Sequence, residues 1–249
     1  LLGAAFLTVF EPEVVFVSIG FFSLSAFLPI LLLKNLRIPV KPHKSLRRQF
    51  KDAMRSGFQT AELWLAGLLE FVVYIGLYSA KAFLPLYALQ QNIPVFWVGL
   101  FFTVQELIHL VARPFGGRLS DRKGYLPVTA SGMLLAAFSL GLMPFATSYQ
   151  PLLLLAIGFG LAQALIFPSI IALYAQKIDS HHTGAGAGII GSFKNAGKIA
   201  GPIIGGLIIH WHDFSWMLWS MAGLLVIWSL ILLLNPFSRK IFLIQWQSR

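Results

Sequence analysis

The sequence has no cysteine and few charged residues: only 11% of its 249 residues are Asp, Glu, Lys or Arg, and the acidic residues number nine. The absence of cysteine excludes disulfide bonds. Soluble domains carry about 25% charged residues, so this chain has too few to cover a water-facing surface. Apolar residues are abundant instead, at 57% of the chain, and the mean hydropathy is +0.76. The composition predicts an integral membrane protein.

Seven apolar stretches are long enough to cross a bilayer as helices, since about 20 residues span its hydrocarbon core. An apolar stub, Leu1 to Phe10, precedes them and is expected to be the tail of another span. The chain begins without Met, which favours a fragment of a longer protein, and no stretch has the pattern of a signal peptide. The predicted spans are 13–33, 62–88, 95–117, 126–146, 151–175, 184–209 and 214–235.

The basic residues are concentrated on one side of this seven-span path. Sixteen of the 19 Lys and Arg lie in loops and tails, namely the segment 34–55, the break 113–123, Lys177 and the tail from Arg239 onward. Basic loops remain in the cytoplasm, so we predict that the first span begins outside and that the C-terminus lies inside. The net charge of +10 is therefore explained by topology and by contact with anionic lipid, and nucleic-acid binding is not expected.

Loop lengths divide the chain into four parts. Residues 35–58 form the only long polar connection, and their basic amphipathic stretch predicts a cytoplasmic linker at the membrane surface. We expect residues 1–34 to hold the tail of one span and a transmembrane helix, 59–235 to form an all-α six-helix bundle, and 236–249 to be a cytoplasmic tail. The pairs "FLPLYA" and "IFPSIIALYA", and "RPFGG" and "GPIIGG", lie three spans apart, which is typical of an inverted three-plus-three repeat.

The break after the third span, "RPFGGRLSDRKGYLPV", is unusually charged for this chain. An aspartate there favours the N-terminus of the next helix, and we expect its basic neighbours Arg118, Arg122 and Lys123 to pair with it or with anionic lipid headgroups. The segment resembles the signature of the major facilitator superfamily, Gly-x-Leu-x-Asp-Arg-x-Gly followed by two basic residues. It departs from that signature at its last two positions, Tyr125 and Leu126. The matching residues are Gly117, Leu119, Asp121, Arg122 and Gly124.

A second segment, "GIIGSFKNAGKIAGPIIGG", resembles the antiporter motif of the same family. Three of its glycines, Gly197, Gly201 and Gly205, are four residues apart and predict a groove for close helix contact, while Pro202 permits a bend. An ordinary packing face of small residues is the alternative reading. The motif is completed by Gly188 and Gly206.

The resemblance implies a secondary transporter that works by alternating access. The extra span, the basic linker and the lack of Arg in "LLAIGFGLAQALIFP" indicate helices six to twelve, the C-terminal half of such a protein. Similarity of "GLFFTVQELIHLVARPFGGRLSDR" to bacterial drug and metabolite exporters favours proton-coupled export, and an uptake symporter or a transport-inactive scaffold remains the alternative. The expected partners are membrane lipid, a small-molecule substrate, protons and the missing N-terminal half. We expect a location in the bacterial inner membrane, with no enzymatic activity, cofactor or metal site.

Polar and ionisable side chains inside apolar spans predict a cavity, because exposing them to lipid is costly. Glu70 and Glu106 are the two candidates for a proton-binding carboxylate, although Glu106 could instead neutralise a lysine. The candidate substrate and proton pathway comprises Glu70, Tyr74, Lys81, Gln105, Glu106, His109, Gln163, Lys194, Asn195 and Lys198.

The two lysines of the sixth bundle span require an acidic partner. At 100° per residue, Lys194 and Lys198 project on about the same side as Gly201, so the glycine groove carries two ammonium groups. The family resemblance implies that the third and sixth spans of the bundle are neighbours. We therefore predict that Glu106 contacts Lys194 or Lys198.

Overall fold

The structure, a computed structural model, describes residues 11–25, 27, 61–175 and 183–234. These residues form helices and no strand, and a short 3₁₀ turn, Met143–Phe145, follows the fourth helix. The helices are α1 (Pro12–Ser25), α2 (Ala61–Gln90), α3 (Val95–Lys123), α4 (Tyr125–Leu142), α5 (Tyr149–Ala175), α6 (Thr183–Trp211) and α7 (Phe214–Leu234).

Five of the described helices, α2 to α5 and α7, are long and apolar enough to cross a membrane. Helix α6 has 29 residues and a length of about 44 Å, which is also sufficient, but its lysines and glycines lower its hydropathy. Helix α1 has 14 described residues, and the remainder of the predicted first span lies outside the described ranges. The stub 1–10, the linker 35–58 and the tail 236–249 also lie outside them.

The boundary between α3 and α4 differs from the predicted one. Helix α3 continues to Lys123, beyond the predicted end at residue 117, and Gly124 alone separates it from α4. Gly124 has φ 92°, a conformation that glycine adopts without the steric cost of a side chain. The charged break is therefore mainly helical, because "RLSDRK" contains neither Pro nor Gly to end the helix.

Two pairs of closely packed helices occupy equivalent positions in the two halves of an internal repeat. Helix α2 packs mainly on α6, α3 packs mainly on α5, and α4 packs on α5 and α7. Exchanging the triplet α2–α4 with α5–α7 converts the α2–α6 pair into the α5–α3 pair, as expected of an inverted repeat. The interior prolines follow the same exchange, Pro85 with Pro168 and Pro114 with Pro202. The weakly similar segments of the sequence, "FLPLYA" with "IFPSIIALYA" and "RPFGG" with "GPIIGG", contain these prolines and thus lie at equivalent places in the all-α membrane fold.

The expected packing of α3 against α6 is wrong. The glycines of α6 face α2 instead: a Cβ atom on Gly197 would lie 2.5 Å from the Phe71 carbonyl oxygen, and one on Gly201 would lie 2.7 Å from that of Ile75. The hydroxyl of Ser79 also donates a hydrogen bond to the Gly201 carbonyl at 2.7 Å. The groove predicted from the glycine spacing exists, but α2 occupies it.

Candidate functional site: a polar cavity at the centre of the bundle

A cavity of about 320 Å³ lies among α2, α3, α5 and α6. Each helix contributes residues at intervals of three or four positions, so the lining follows one face of each helix. The lining residues are Glu70, Tyr74, Leu77, Tyr78 and Lys81 from α2, Glu106, His109 and Arg113 from α3, Gln163, Phe167 and Ile171 from α5, and Lys194 and Lys198 from α6.

The cavity lies at the mid-height of the helices. His109 is the central residue of α3, and Tyr74, Gln163 and Lys198 lie within two residues of the centres of α2, α5 and α6. Secondary transporters place substrate and ion sites near the bilayer midplane. The polar residues lie near the middle of their helices, which is the depth at which such sites are found in that class of protein.

Close backbone contacts position the two helix pairs around this cavity. On the α3–α5 side, a Cβ atom on Gly160 would lie 2.5 Å from the Gln105 carbonyl oxygen, and one on Gly116 would collide with the carbonyl of Ala164. That carbonyl has no N–H donor four residues later, because Pro168 occupies the position. Small residues thus allow α3 to approach α5 as closely as α6 approaches α2.

Glu106 holds the principal ion pair of the cavity. Its Oε1 lies 3.0 Å from Lys81 Nζ and accepts a hydrogen bond from Gln105 Nε2 at 3.3 Å, while its Oε2 lies 3.5 Å from His109 Nδ1. The Glu106 side chain is 53% exposed and that of Lys81 is 29% exposed, so the described helices do not enclose either one completely. The ion pair connects α3 to α2.

The predicted partner of Glu106 is therefore wrong. Among the described residues, its salt bridges are with Lys81 and His109, and neither Lys194 nor Lys198 lies within 4 Å. The physical reason is the packing of α6 on α2, away from α3. The alternative interpretation, that Glu106 neutralises a lysine, agrees with the observed contact. That lysine is Lys81 of α2 and not a lysine of α6.

Lys194 and Lys198 lie over aromatic rings. The Lys194 ammonium is 5.1 Å from the centroid of the Tyr74 ring, and that of Lys198 is 5.5 and 5.4 Å from the centroids of Tyr74 and Tyr78. Such distances are typical of cation–π contacts. Both lysines also act electrostatically on Glu70, which is only 5% exposed and whose Oε2 is buried without a hydrogen-bond partner.

An aromatic wall connects three of the helices. The ring of Phe167 in α5 lies 5.4 Å from that of Tyr74 in α2 and 5.5 Å from that of His109 in α3, measured between centroids. Tyr78 extends the wall along α2, at 5.7 Å from Tyr74. The cavity therefore combines charged groups with adjacent aromatic rings, of which Tyr74 and Phe167 are each 8% exposed.

Eight of the ten predicted pathway residues line the cavity, and two do not. Gln105 is completely buried, and its side-chain amide donates to Glu106. Asn195 is exposed on α6 and is not part of the lining. The lining residues that the sequence analysis missed are Leu77, Tyr78, Arg113, Phe167 and Ile171. Arg113 follows Glu106 by seven residues, a helical spacing that would have identified it had it not been counted with the basic residues of the break 113–123.

Asp121 in the signature segment has a different partner from the expected one. The hydroxyl of Tyr125, the first residue of α4, donates to Asp121 Oδ1 at 3.4 Å. No cation lies within 4 Å of Asp121 in the described ranges, so Arg118, Arg122 and Lys123 do not pair with it, and their pairing with lipid headgroups stays a prediction. Tyr125 is one of the positions at which this chain departs from the family signature, and its hydroxyl supplies a hydrogen-bond donor there.

Six bundle helices of this length and hydropathy, arranged as two related triplets around a mid-height polar cavity, define a membrane protein of the transporter class. The chain belongs to the Major Facilitator Superfamily, whose family model matches residues 66–243.

Curated relatives share this family at low identity. The chain is 27% identical over 187 residues to the uncharacterized MFS-type transporter YuxJ of Bacillus subtilis, which covers 74% of this chain and 48% of the relative. It is 25% identical over 168 residues to the quinolone resistance protein NorA of Staphylococcus aureus, which covers 67% of this chain and 43% of the relative. The chain spans about half the length of the curated relatives it matches.

Proposed function

We propose that this chain is the C-terminal half of a proton-coupled exporter of small solutes that works by alternating access. The observation that carries the proposal is the mid-height polar cavity, in which Glu106 of α3 holds Lys81 of α2 at 3.0 Å. The relative named for quinolone resistance supports export as the direction, since removing a drug from the cell gives resistance to it. The N-terminal half would complete the site, because substrates of such transporters bind between the halves.

Glu106 is the proposed proton carrier. Its side chain is half exposed on the cavity side of the described helices, which leaves it accessible to a proton from the cavity, whereas Glu70 is almost completely buried. A proton on Glu106 cancels the charge that holds Lys81, and the contact between α2 and α3 weakens. Loss of the proton restores the ion pair. Protonation thereby biases the equilibrium between two arrangements of the helices, which is the requirement for coupling.

The remaining topological assignments belong to the same proposal. The distribution of basic residues supports a cytoplasmic location for the 35–58 linker and the C-terminus, and residues 1–34 would belong to the preceding half. The glycine motif of α6, with Gly197, Gly201, Pro202 and Gly205, and the signature residues Gly117, Asp121, Arg122 and Gly124 would serve the conformational change. A bacterial inner membrane is the proposed location.

Flux measurements on the full-length transporter in proteoliposomes test the proposal. Under an imposed pH gradient, we expect a fluorescent aromatic solute and protons to move in opposite directions. Glu106→Gln should abolish solute-linked proton movement while downhill solute exchange continues, and Glu70→Gln should retain the ratio of protons to solute. Movement of both species in the same direction would identify an uptake symporter. Absence of any flux, with intact folding, would favour the scaffold alternative.

A further inference from the structure

We infer that this cavity selects an organic anion with an aromatic group: Lys194, Lys198 and Arg113 receive the carboxylate, sulfonate or phosphate, and the aromatic wall receives the ring. The inference rests on the proposed function, because it names the substrate class of the same site. Three features of the cavity support it: the balance of charge, the unused donors of the lysines and the aromatic surface beside them.

The charge of the lining is strongly unbalanced. Four cationic side chains, Lys81, Arg113, Lys194 and Lys198, face two carboxylates, Glu70 and Glu106. Lys81 is already paired with Glu106, so three cations remain opposite one carboxylate. Charges at membrane depth are costly unless they are compensated. Within this half of the site, an anion that enters the cavity would compensate the excess positive charge.

Lys194 and Lys198 retain their hydrogen-bonding capacity. An ammonium group has three donors, and within the described ranges neither lysine makes a hydrogen bond or a salt bridge within 4 Å. Both ammonium groups contact ring faces, which compensate the charge but accept no conventional hydrogen bond. The two lysines are one helical turn apart, so both ammonium groups can reach the same multi-oxygen anion.

Arg113 approaches the cavity from a different helix. It lies on the face of α3 that also carries Glu106 and His109, and none of the described carboxylates is within 4 Å of it. A guanidinium group binds carboxylates and sulfonates through two parallel N–H donors. Cations from α3 and α6 therefore flank the same space from two sides.

The aromatic wall defines the rest of the expected ligand. Tyr74 and Phe167 present adjacent rings, at 5.4 Å between centroids, and Tyr74 is also the ring contacted by both lysines. A ligand with an anionic group on an aromatic ring can therefore stack on the wall while its charge meets the ammonium groups. A volume of about 320 Å³ lies at the lower end of the range of about 300–1,000 Å³ found for small-molecule sites.

A cationic substrate fits the same residues less well. Glu70 is the carboxylate that remains to receive it, and Lys194 and Lys198 already act on that carboxylate. Glu70 already faces three cations, Arg113, Lys194 and Lys198, and a bound ammonium group would add a fourth positive charge. The geometry therefore disfavours organic cations.

The test uses the full-length transporter in nanodiscs and measures the dissociation constants of three probes that share one ring system: naphthalene-2-sulfonate, 2-naphthol and 2-naphthylmethylammonium. The sulfonate should bind at least roughly tenfold more tightly than the ammonium probe, as expected for hydrogen bonds to a charged group. Lys194→Gln with Lys198→Gln should weaken sulfonate binding roughly tenfold to a hundredfold and change 2-naphthol binding less than about threefold. Lys123→Gln, which removes an exposed cation outside the cavity, is the matched control and should leave both values unchanged.

Tighter binding of the ammonium probe, or equal weakening of sulfonate and 2-naphthol in the double variant, would overturn the inference.

Neutral discs and discs containing phosphatidylglycerol distinguish two sources of the anion. Equal sulfonate affinity in both discs identifies a water-soluble anion, and competition by phosphatidylglycerol identifies a lipid headgroup. Proton-coupled export of the ammonium probe alone would refute anion selectivity and leave the proposed exporter intact, whereas anion binding without any proton-coupled flux would refute the exporter.

Discussion

The ammonium group of Lys81 lies 3.0 Å from Oε1 of Glu106, and this contact connects α2 to α3 across the cavity. Each of these helices packs mainly on another partner, α2 on α6 and α3 on α5. The ion pair therefore adds a charged contact between two helix pairs that the ring contact of Tyr74 with Phe167 also joins. A change in charge at either residue is expected to alter how the two pairs sit relative to each other.

The first prediction concerns this bridge. Lys81→Glu should lower the thermal stability of the purified transporter, because two carboxylates would then face each other across the cavity. Combining Lys81→Glu with Glu106→Lys restores opposite charges and should recover much of the loss. We expect a coupling free energy of about 1 kcal/mol, because both side chains are partly exposed. Additive effects of the two substitutions in a double-mutant cycle would show that the contact is absent in the membrane.

The second prediction concerns the glycines of α6. Gly201→Ala places a Cβ atom 2.7 Å from the Ile75 carbonyl oxygen, so the helices must separate, at a cost of about 1–3 kcal/mol in the free energy of unfolding. Gly191→Ala is the matched control on the same helix, since nothing lies within 4 Å of its Cβ position. Its effect should be neutral or stabilising. Thermal melting of both variants checks the difference, and equal melting temperatures would indicate that α2 does not occupy the glycine groove.

The third prediction concerns the junction of α3 and α4. Asp121→Asn and Tyr125→Phe each weaken the hydrogen bond between these two side chains. If this bond serves a conformational step, both variants should transport more slowly while expression and membrane insertion stay nearly normal. Transport rates normalised to the amount of inserted protein provide the measurement. Normal transport by both variants would show that the hydrogen bond between Asp121 and Tyr125 serves folding and not a conformational step.

The fourth prediction concerns orientation. In a cysteine-free background, a cysteine at Gln91, in the turn after α2, should react with an impermeant thiol reagent added outside intact cells. Cysteines at Lys123 and at Ser45 in the predicted linker should react only after the membrane is permeabilised. The positive-inside pattern is the physical basis of this expectation. The reverse labelling pattern would invert the assigned topology.

The sequence predicted the fold well, because the determinants of a membrane bundle are local. Apolar length fixed where the six bundle helices lie, and the spacing of Gly197, Gly201 and Gly205 predicted a close helix contact. The end of α3 was placed too early, because charge was taken as a sign of a loop. A helix can carry charged residues where it leaves the membrane, and "RLSDRK" contains no residue that breaks it.

The site was predicted less completely, because it depends on which helices are neighbours. Polarity at membrane depth identified Glu106 and the lysines. Which lysine Glu106 contacts can be determined only when the packing of the helices is known. The assumption that α3 contacts α6 led to the wrong pair, and Lys81 was the residue that Glu106 contacts. Phe167 carries no polar signal in an apolar span, so its place in the cavity emerges only from the structure.

The account depends most on the claim that solute binds in the cavity among α2, α3, α5 and α6. A cysteine at Ile171, a partly exposed lining residue of α5, reports on this directly in the full-length, cysteine-free transporter. Alkylation of that cysteine by a maleimide should slow several-fold when a transported solute is present, whereas alkylation at Gln91→Cys should not change. Identical alkylation rates at Ile171→Cys with and without a saturating transported solute would contradict the account.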